Sequence, residues 1–308
     1  MPTDGEGSFQ ITLIEKWKTP NLRYVLYLHK DDAPLLNYIK NRLNLGKVYV
    51  YDHFGSFIIS KTNELLQLIK IFEGHPLNTT KYLNLLAFKE ALELYCQYRR
   101  NSSAYAPEYK ELLYNKLTNL KKSMNKKRTD FDLPENHKII ITDYWLLGFI
   151  EGEGSFCVAK TGSFRLDFSI NQTIRERLVL KTIQKILLEL PGEFKLLNSK
   201  TNSVQLALDS KAKNDRSQPM ARVFSNYSGY INNVLIPFLD KLEWLSKKNL
   251  DYKDWKLVLT LKQKGWHLSD QGKEVIWAII NKMNNNRLST NNNSSNFTAR
   301  PRADIKDL

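Results

Sequence analysis

The sequence predicts an α+β protein made of two similar halves, and three observations carry that prediction. The first is a repeated run: Glu151-Gly152-Glu153-Gly154-Ser155-Phe156 recurs as Asp4-Gly5-Glu6-Gly7-Ser8-Phe9, with Asp in place of the first Glu. The second is the stretch after each copy, where apolar and polar residues alternate with period two, as in a strand with one buried face. The third is a matched anchor further on. Lys81 to Phe88 parallels Lys248 to Trp255, each a lysine seven residues before an aromatic near the start of a helix. The spacing from Glu6 to Lys81 is 75 residues and from Glu153 to Lys248 is 95, the excess being assigned to an added strand and loop around residues 203–219. Either match alone is weak; together, in the same order, they define an internal repeat.

In the first half (1–98), the stretch from Ser8 to Lys16 puts Phe9, Ile11 and Leu13 on one face and Ser8, Gln10 and Thr12 on the other. Arg23 to His29 sets Tyr24, Leu26 and Leu28 against Arg23, Val25 and Tyr27, and Lys18-Thr19-Pro20-Asn21 supplies the turn. Asp31 or Asp32 caps a helix to about Leu43. Strands at 47–52 and 56–60 and helices at 63–72 and 80–98 come next. Residues 99–141 are expected to be a basic linker, with one polar helix from Pro107 to Ser123 and the cations Lys121, Lys122, Lys126, Lys127 and Arg128. The second half (142–283) opens on Leu146-Leu147-Gly148-Phe149-Ile150-Glu151-Gly152, a helix with an apolar face and two glycines. Glycine inside a helix costs roughly 0.5–1 kcal/mol against alanine, so the pair predicts close approach of another backbone. Strands are expected at 155–160 and 164–172, with Arg165, Asp167, Ser169 and Asn171 facing one way and Leu166, Phe168 and Ile170 the other. A helix over 176–190, strands near 193–198, 203–209 and 221–225, and helices over 230–242, 252–262 and 271–283 complete it. From Asn284 to the end, Asn, Ser and Thr dominate, and a disordered tail is expected.

Composition narrows the function. The chain of 308 residues carries 46 Lys+Arg against 32 Asp+Glu, a formal charge of +14, which points to a polyanionic partner. Two cysteines, Cys96 and Cys157, are too few for a disulfide framework or a zinc site, and the five histidines lack zinc spacing. No Gly-rich nucleotide loop is present. No apolar run approaches the roughly 20 residues of a membrane span, so no membrane partner is expected. Met1-Pro2-Thr3-Asp4 does not read as a signal peptide, and its acidic start argues against an Arg-rich transit peptide. Abundant Asn, Lys, Ile, Leu and Tyr fit an AT-rich, organelle-encoded gene.

The run from Leu146 to Gly154 resembles the LAGLIDADG motif of homing endonucleases. With the shorter copy at Asp4 to Phe9, the chain resembles the single-chain, pseudo-dimeric branch encoded in organelle introns, over about residues 4 to 285. The resemblance implies two αββαββα halves with curved antiparallel sheets forming a saddle, the first half lacking most of its N-terminal helix. It implies a monomer with internal pseudo-two-fold symmetry, in the mitochondrion. The implied activity is site-specific, Mg²⁺-dependent cleavage of double-stranded DNA, leaving short 3′ overhangs that promote mobility of the host intron.

The same resemblance assigns roles. Glu6 and Glu153 are the expected catalytic acids and metal ligands, because Mg²⁺ prefers carboxylate oxygens and can both activate water and stabilise the leaving oxygen. Lys81 and Lys248 match the family's active-site lysines, where a cation stabilises charge on the scissile phosphate. Gln172, at the end of the second hairpin, resembles the water-positioning group; Leu28 stands at the equivalent place in the first half, so the two sites are expected to be unequal. The polar hairpin faces, Ser8, Gln10, Thr12, Arg23 and Tyr27 with Ser155, Cys157, Arg165, Asp167, Ser169 and Asn171, are the expected DNA-binding surface, since a β-ribbon fits the major groove.

Two other functions stand beside this one. Relatives act as maturases that help their host group I intron RNA to splice, which would also use a basic surface. A truncated, inactive reading frame is the third. Only Pro2 and Thr3 precede Asp4, so the apolar stripe of Leu146, Leu147, Phe149 and Ile150 is expected to be exposed. On that view Met1 is not the true start, and the chain alone is poorly soluble or inactive until upstream in-frame residues are added.

Overall fold

The computed structural model describes residues 2–17, 19–100, 107–161, 163–195, 203–210 and 218–291. A short helix α1 (Pro2–Glu6) runs directly into β1 (Gly7–Ile14), which pairs antiparallel with β2 (Thr19–His29), Gly7 opposite Leu26 and Ile14 opposite Thr19. After α2 (Ala33–Leu43) come β3 (Lys47–Val50) and β4 (Phe54–Ile59), closing an antiparallel sheet of order β1-β2-β4-β3. Helices α3 (Thr62–Gly74), α4 (Lys81–Arg100) and α5 (Pro107–Lys122) cover one face.

The second half repeats this plan. Helix α6 (Asp143–Glu153) feeds β5 (Gly154–Val158) and β6 (Leu166–Thr173). Then come α7 (Arg177–Glu189), β7 (Gln205–Leu208) and β8 (Met220–Ser225), in sheet order β5-β6-β8-β7. Two short helices, α8 (Ser228–Tyr230) and α9 (Ile236–Asp240), are joined by a π turn, and α10 (Lys248–Gln263) and α11 (Asp270–Ile280) finish the core. The predicted strand at 193–198 is absent over 193–195, and the rest of it lies outside the described residues. The extra length of this half therefore falls in two connections, after α7 and between β7 and β8, and among the described residues no added strand is found.

The alternation read from the sequence sets the buried faces. Phe9, Ile11, Tyr24 and Leu26 all point into the first core, and Phe156, Phe168 and Ile170 into the second. Phe9 packs its ring 5.3 to 5.8 Å from those of Tyr24, Phe72 and Phe88. Its counterpart Phe156 does the same with Phe168, Tyr252 and Trp255 at 5.2 to 5.5 Å.

The basic linker needs correction. Leu113 and Leu117 of α5, and Met124 beyond it, are buried in the first core, as Ile276, Ile280 and Met283 are in the second. Helix α5 is thus the counterpart of α11 and belongs to the first half. A repeat missed in the sequence marks the equivalence: Met124-Asn125-Lys126-Lys127-Arg128 and Met283-Asn284-Asn285-Asn286-Arg287. Asn125 and Asn284 both adopt left-handed backbone, at φ 54° and 57°. Asn125 donates its backbone N–H to Asn84 Oδ1 (3.0 Å) and its side-chain amide to the Phe9 carbonyl (2.9 Å). Asn284 does the same with Asp251 Oδ1 (2.9 Å) and the Phe156 carbonyl (3.2 Å). Arg128 and Arg287 then reach those same Asn84 and Asp251 oxygens, at 3.3 and 2.8 Å.

Beyond each turn the chain crosses to the other half. Phe131 lies under the Arg175 guanidinium, 3.7 Å from the ring centre. Ser289 donates its N–H to Asp31 (3.0 Å), and Thr290 bonds His29 Nε2 (2.8 Å). The first residues of the expected disordered tail, 284–291, are therefore bonded in place; 292–308 lie outside the described residues.

These turns and crossings can be tested by substitution. Replacing Asn284 with Ala should destabilise the protein by about 2–3 kcal/mol, through the lost bond and the left-handed backbone. Asn284→Gly should cost clearly less in urea denaturation, because it keeps the backbone conformation. At Asp31, burial alone would raise the carboxyl, but bonds from Lys247 and Ser289 outweigh it and hold the group well below its ordinary value of 3.8. A depressed carboxyl adds stability above its unfolded pKa and loses it as pH falls through the folded one. Asp31→Asn should thus cost about 1.5 kcal/mol at pH 7, with the deficit shrinking only as the pH drops below the ordinary carboxylate range.

Candidate active site

The C-terminal ends of α1 and α6 meet, and the two expected acids stand there. A Cβ on Gly5 would lie 3.2 Å from Glu153 Oε1, so the missing side chain lets the second half's carboxylate rest against the first half's backbone. The close approach predicted at Gly152 is not found: a Cβ there meets nothing within 4 Å. Gly154 is the constrained position, since its Cβ would collide with the Ile150 carbonyl at 2.5 Å where α6 turns into β5. Nor is the apolar stripe exposed. Leu146, Leu147, Phe149 and Ile150 are all buried in the second core, because the α6 face they share packs into it and not outward. Tyr144, at 66% exposure, is the large side chain of α6 that faces water.

Charge shows how closely the expected residues converge. The Glu153 carboxyl is pushed up by burial and then by the negative charge of Glu6; Lys81, a hydrogen bond from Gln172, and Lys248 oppose the rise. The Lys81 ammonium is pulled down by burial, against the attraction of Glu6, Glu153, Asp4 and Glu176. Lys81 donates to the carbonyls of Gly5 and, at 3.3 Å, Thr3. Lys248 donates to the Gly154 carbonyl at 2.8 Å. Each lysine thus reaches the backbone beside its own half's acid. Glu6, exposed, and Lys248 share a cleft of about 530 Å³ with Tyr27, Gly152 and Asp32. Leu28 lines that cleft, while its counterpart Gln172 bonds Glu153, so the two halves differ here.

The donor set suits a hard divalent cation only in part. Among the described residues no group of three or more His, Cys, Asp or Glu could hold a metal alone. Two carboxylates with backbone carbonyls nearby fit Mg²⁺ or Ca²⁺ if water and a substrate oxygen complete the shell.

Two further acids, not singled out in the sequence, hold the lysines in place. Asp4, 3% exposed, accepts the backbone N–H groups of Asn78 (3.1 Å) and Thr79 (2.9 Å), the Thr79 hydroxyl (2.7 Å) and the Trp145 indole N–H (2.8 Å). Glu151 accepts the N–H groups of Leu245 (2.8 Å) and Ser246 (2.6 Å). These stretches lead directly into Lys81 and Lys248. The acid two residues before each expected metal ligand therefore ties down the turn that presents the lysine. Its presence in both copies of the repeat was the available signal.

The polar hairpin residues share the strand faces that the alternation predicts, but Ser169, at 6% exposure, is buried within its row. Gln10 is paired with Arg23, whose Nε donates to Gln10 Oε1 at 2.8 Å, while Ser8 and Thr12 flank them. Ser155 opposes Ser169 and Cys157 opposes Asp167. Asn171 donates to Ser169 (3.2 Å), and Arg165 pairs with Asp167 (3.3 Å). The rows extend further than the sequence indicated. Tyr27 aligns with Ser56 and then Tyr49, and Val25 with Ile58 and Lys47. Ser169 aligns with Phe224 and Gln205, and Asn171 with Arg222. Lys47, Tyr49, Gln205 and Arg222 thus share the polar face, through a pairing of distant strands that no local pattern reveals.

The family model for the LAGLIDADG endonuclease matches residues 3–92 and 146–259, more than half of the chain. An uncharacterized mitochondrial protein of Saccharomyces cerevisiae, RF1, is 29% identical over 95% of this chain and 60% of its own length. A probable intron-encoded endonuclease of Neurospora crassa, endonuclease 3, is 25% identical over 90% of this chain and 52% of its own length. The chain therefore spans about half to three fifths of these curated relatives. Among solved structures, the LAGLIDADG homing endonuclease I-GzeII in complex with its DNA target superposes with a TM-score of 0.74 at 22% identity, over 93% of this chain and 97% of that one. The meganuclease I-AabMI bound to uncleaved DNA gives 0.70 at 25% identity, over 92% and 96%. The matched family model, the two four-stranded antiparallel sheets and the paired motif ends agree: the chain belongs to the LAGLIDADG endonuclease family.

Proposed function

We propose that this chain is a site-specific endonuclease that cuts both strands of a DNA duplex with the help of Mg²⁺. The observation that carries the reading is the convergence of Glu6 and Glu153 at adjoining helix ends, with a lysine from each half beside them. One acid serves each strand. Bound Mg²⁺ would supply an activated water and offset charge on the leaving oxygen. Glu6 and Glu153 hold and orient the cation, Lys81 and Lys248 face the anionic phosphate, and Gln172 orients Glu153. The paired polar faces, from Ser8 and Arg23 in one sheet to Asn171 in the other, read the duplex, with Lys47, Tyr49, Gln205 and Arg222 extending the footprint. The charge of +14 provides affinity for the phosphate backbone.

Names of relatives support the setting: they are described as mitochondrial or intron-encoded. On this reading the protein works in the mitochondrion as a pseudo-symmetric monomer and promotes mobility of its own intron.

The test is cleavage of a labelled plasmid bearing the target, with Mg²⁺ present. Glu6→Gln and Glu153→Gln should each lower double-strand cleavage by on the order of a hundredfold or more and bind the target as before. Full cutting by both variants would remove the carboxylates from the chemistry. Assistance to splicing of the host group I intron RNA, if the protein gives it, should survive both substitutions.

A further inference from the structure

Asp32 and Glu176 occupy equivalent places. Each ends a 3₁₀ turn after the second hairpin strand, and each is the N-cap of the next helix, α2 or α7. An acid at that position ordinarily accepts the free N–H groups of its own helix. Neither does so: no side-chain capping bond is made to α2 or α7. Both carboxylates turn to the other half. Glu176, 8% exposed, receives the Thr80 N–H on both oxygens, at 3.2 and 3.0 Å, and the Thr80 hydroxyl as well. Asp32 receives the Lys247 N–H at 2.9 Å. Thr80 and Lys247 are the residues immediately before Lys81 and Lys248.

We infer that Asp32 and Glu176 are reciprocal positioning residues, each fixing the lysine of the opposite half. The geometry is specific. A N–H at the start of a helix has no partner within that helix, so an acid placed there satisfies a bond the helix leaves open and complements its dipole. Asp4 and Glu151 bind the preceding residues from within each lysine's own half. Every lysine-bearing helix start is therefore held by two acids, one from each half. The acid from its own half sets the lysine against its carboxylate; the acid from the other half sets it against the far sheet. Asp32 borders the cleft that contains Glu6 and Lys248, which places the bond at the active centre's edge. The two clamps are unequal. Asp31 adds an ion pair to Lys247 Nζ at 2.5 Å, while its counterpart Arg175 stacks on Phe131. Neither acid touches the reacting phosphate; both act through the lysines. A displacement of a catalytic group by about 1 Å is enough to cost on the order of a hundredfold in rate.

This inference rests on the proposed cleavage, so two measurements are paired. The first is amide hydrogen exchange in the full chain without DNA. Glu176→Ala should speed exchange at Thr80 and leave Lys247 unchanged; Asp32→Ala should do the reverse. Unchanged exchange at both amides would overturn the clamp whether or not the protein cuts DNA. The second is nicking of a target duplex labelled on each strand, with Lys81→Met and Lys248→Met marking which strand each lysine serves. Glu176→Ala should slow the strand slowed by Lys81→Met by roughly tenfold more than the other, and Asp32→Ala should slow the opposite strand. Glu176→Gln keeps the volume and one acceptor oxygen, and should show the same bias at smaller size if the Ala variant does not fold. Equal slowing of both strands would mean a purely structural role and would overturn the assignment. Wild-type protein that fails to cut, with the exchange pattern intact, would instead count against the endonuclease reading.

Discussion

Two carboxylates of like charge stand at one point, where α1 and α6 end, and the surrounding structure is arranged to hold them there. Loss of solvent, and then repulsion from Glu6, push Glu153 up. Lys81, Lys248 and Gln172 oppose that rise without neutralising it. On the proposed reading, such an arrangement costs stability in the free protein and a bound divalent cation would offset it. Sites tuned for function commonly carry this kind of local cost, offset by packing elsewhere. Here the offset lies in two aromatic cores centred on Phe9 and Phe156, each just past a helix-to-strand corner. The acids are thus anchored within three residues of deeply buried rings.

The halves are not independent domains leaning on each other. Asp4 takes a bond from Trp145, Glu176 from Thr80 and Asp32 from Lys247, and the segments after both Asn turns cross to the opposite half. Two of these contacts, Glu176 with Thr80 and Asp32 with Lys247, join a carboxylate to backbone at the two lysine-bearing helix starts. On the proposed reading, bonds of this kind fix the two sets of acids and lysines relative to one another, as cleavage of two strands would require.

Much of this architecture was legible in the residues. Strict alternation at Phe9, Ile11 and at Leu166, Phe168, Ile170 fixed the hairpin faces, because a shift of one residue would have turned the core outward. The repeated acid and lysine marked the residues that the fold brings together where α1 and α6 end. The features that escaped depend on distant pairing, or on charge hiding a pattern. Leu113, Leu117 and Met124 form an apolar stripe, but the cations around them made the segment read as a linker. Asn125 fell within the expected linker and Asn284 opened the expected disordered tail, although their spacing to Met and Arg repeats. Asp32 stands at the N-cap position expected of it but serves the other half's helix, since sequence gives the position of an acid and not the direction in which it turns. Gly152 was assigned a close backbone neighbour that it lacks, and the sharp corner at Gly154 is the firmer constraint.

If Glu6 and Glu153 together form a divalent-cation centre over the middle of a DNA duplex, a crystal structure of the chain with its target DNA and Ca²⁺ tests it most directly. The expected result is cation density coordinated by both carboxylates and by phosphate oxygens from each strand, at the roughly 2.3–2.6 Å typical of Ca²⁺. Bound DNA with neither carboxylate in contact with a cation or with a scissile phosphate would contradict it.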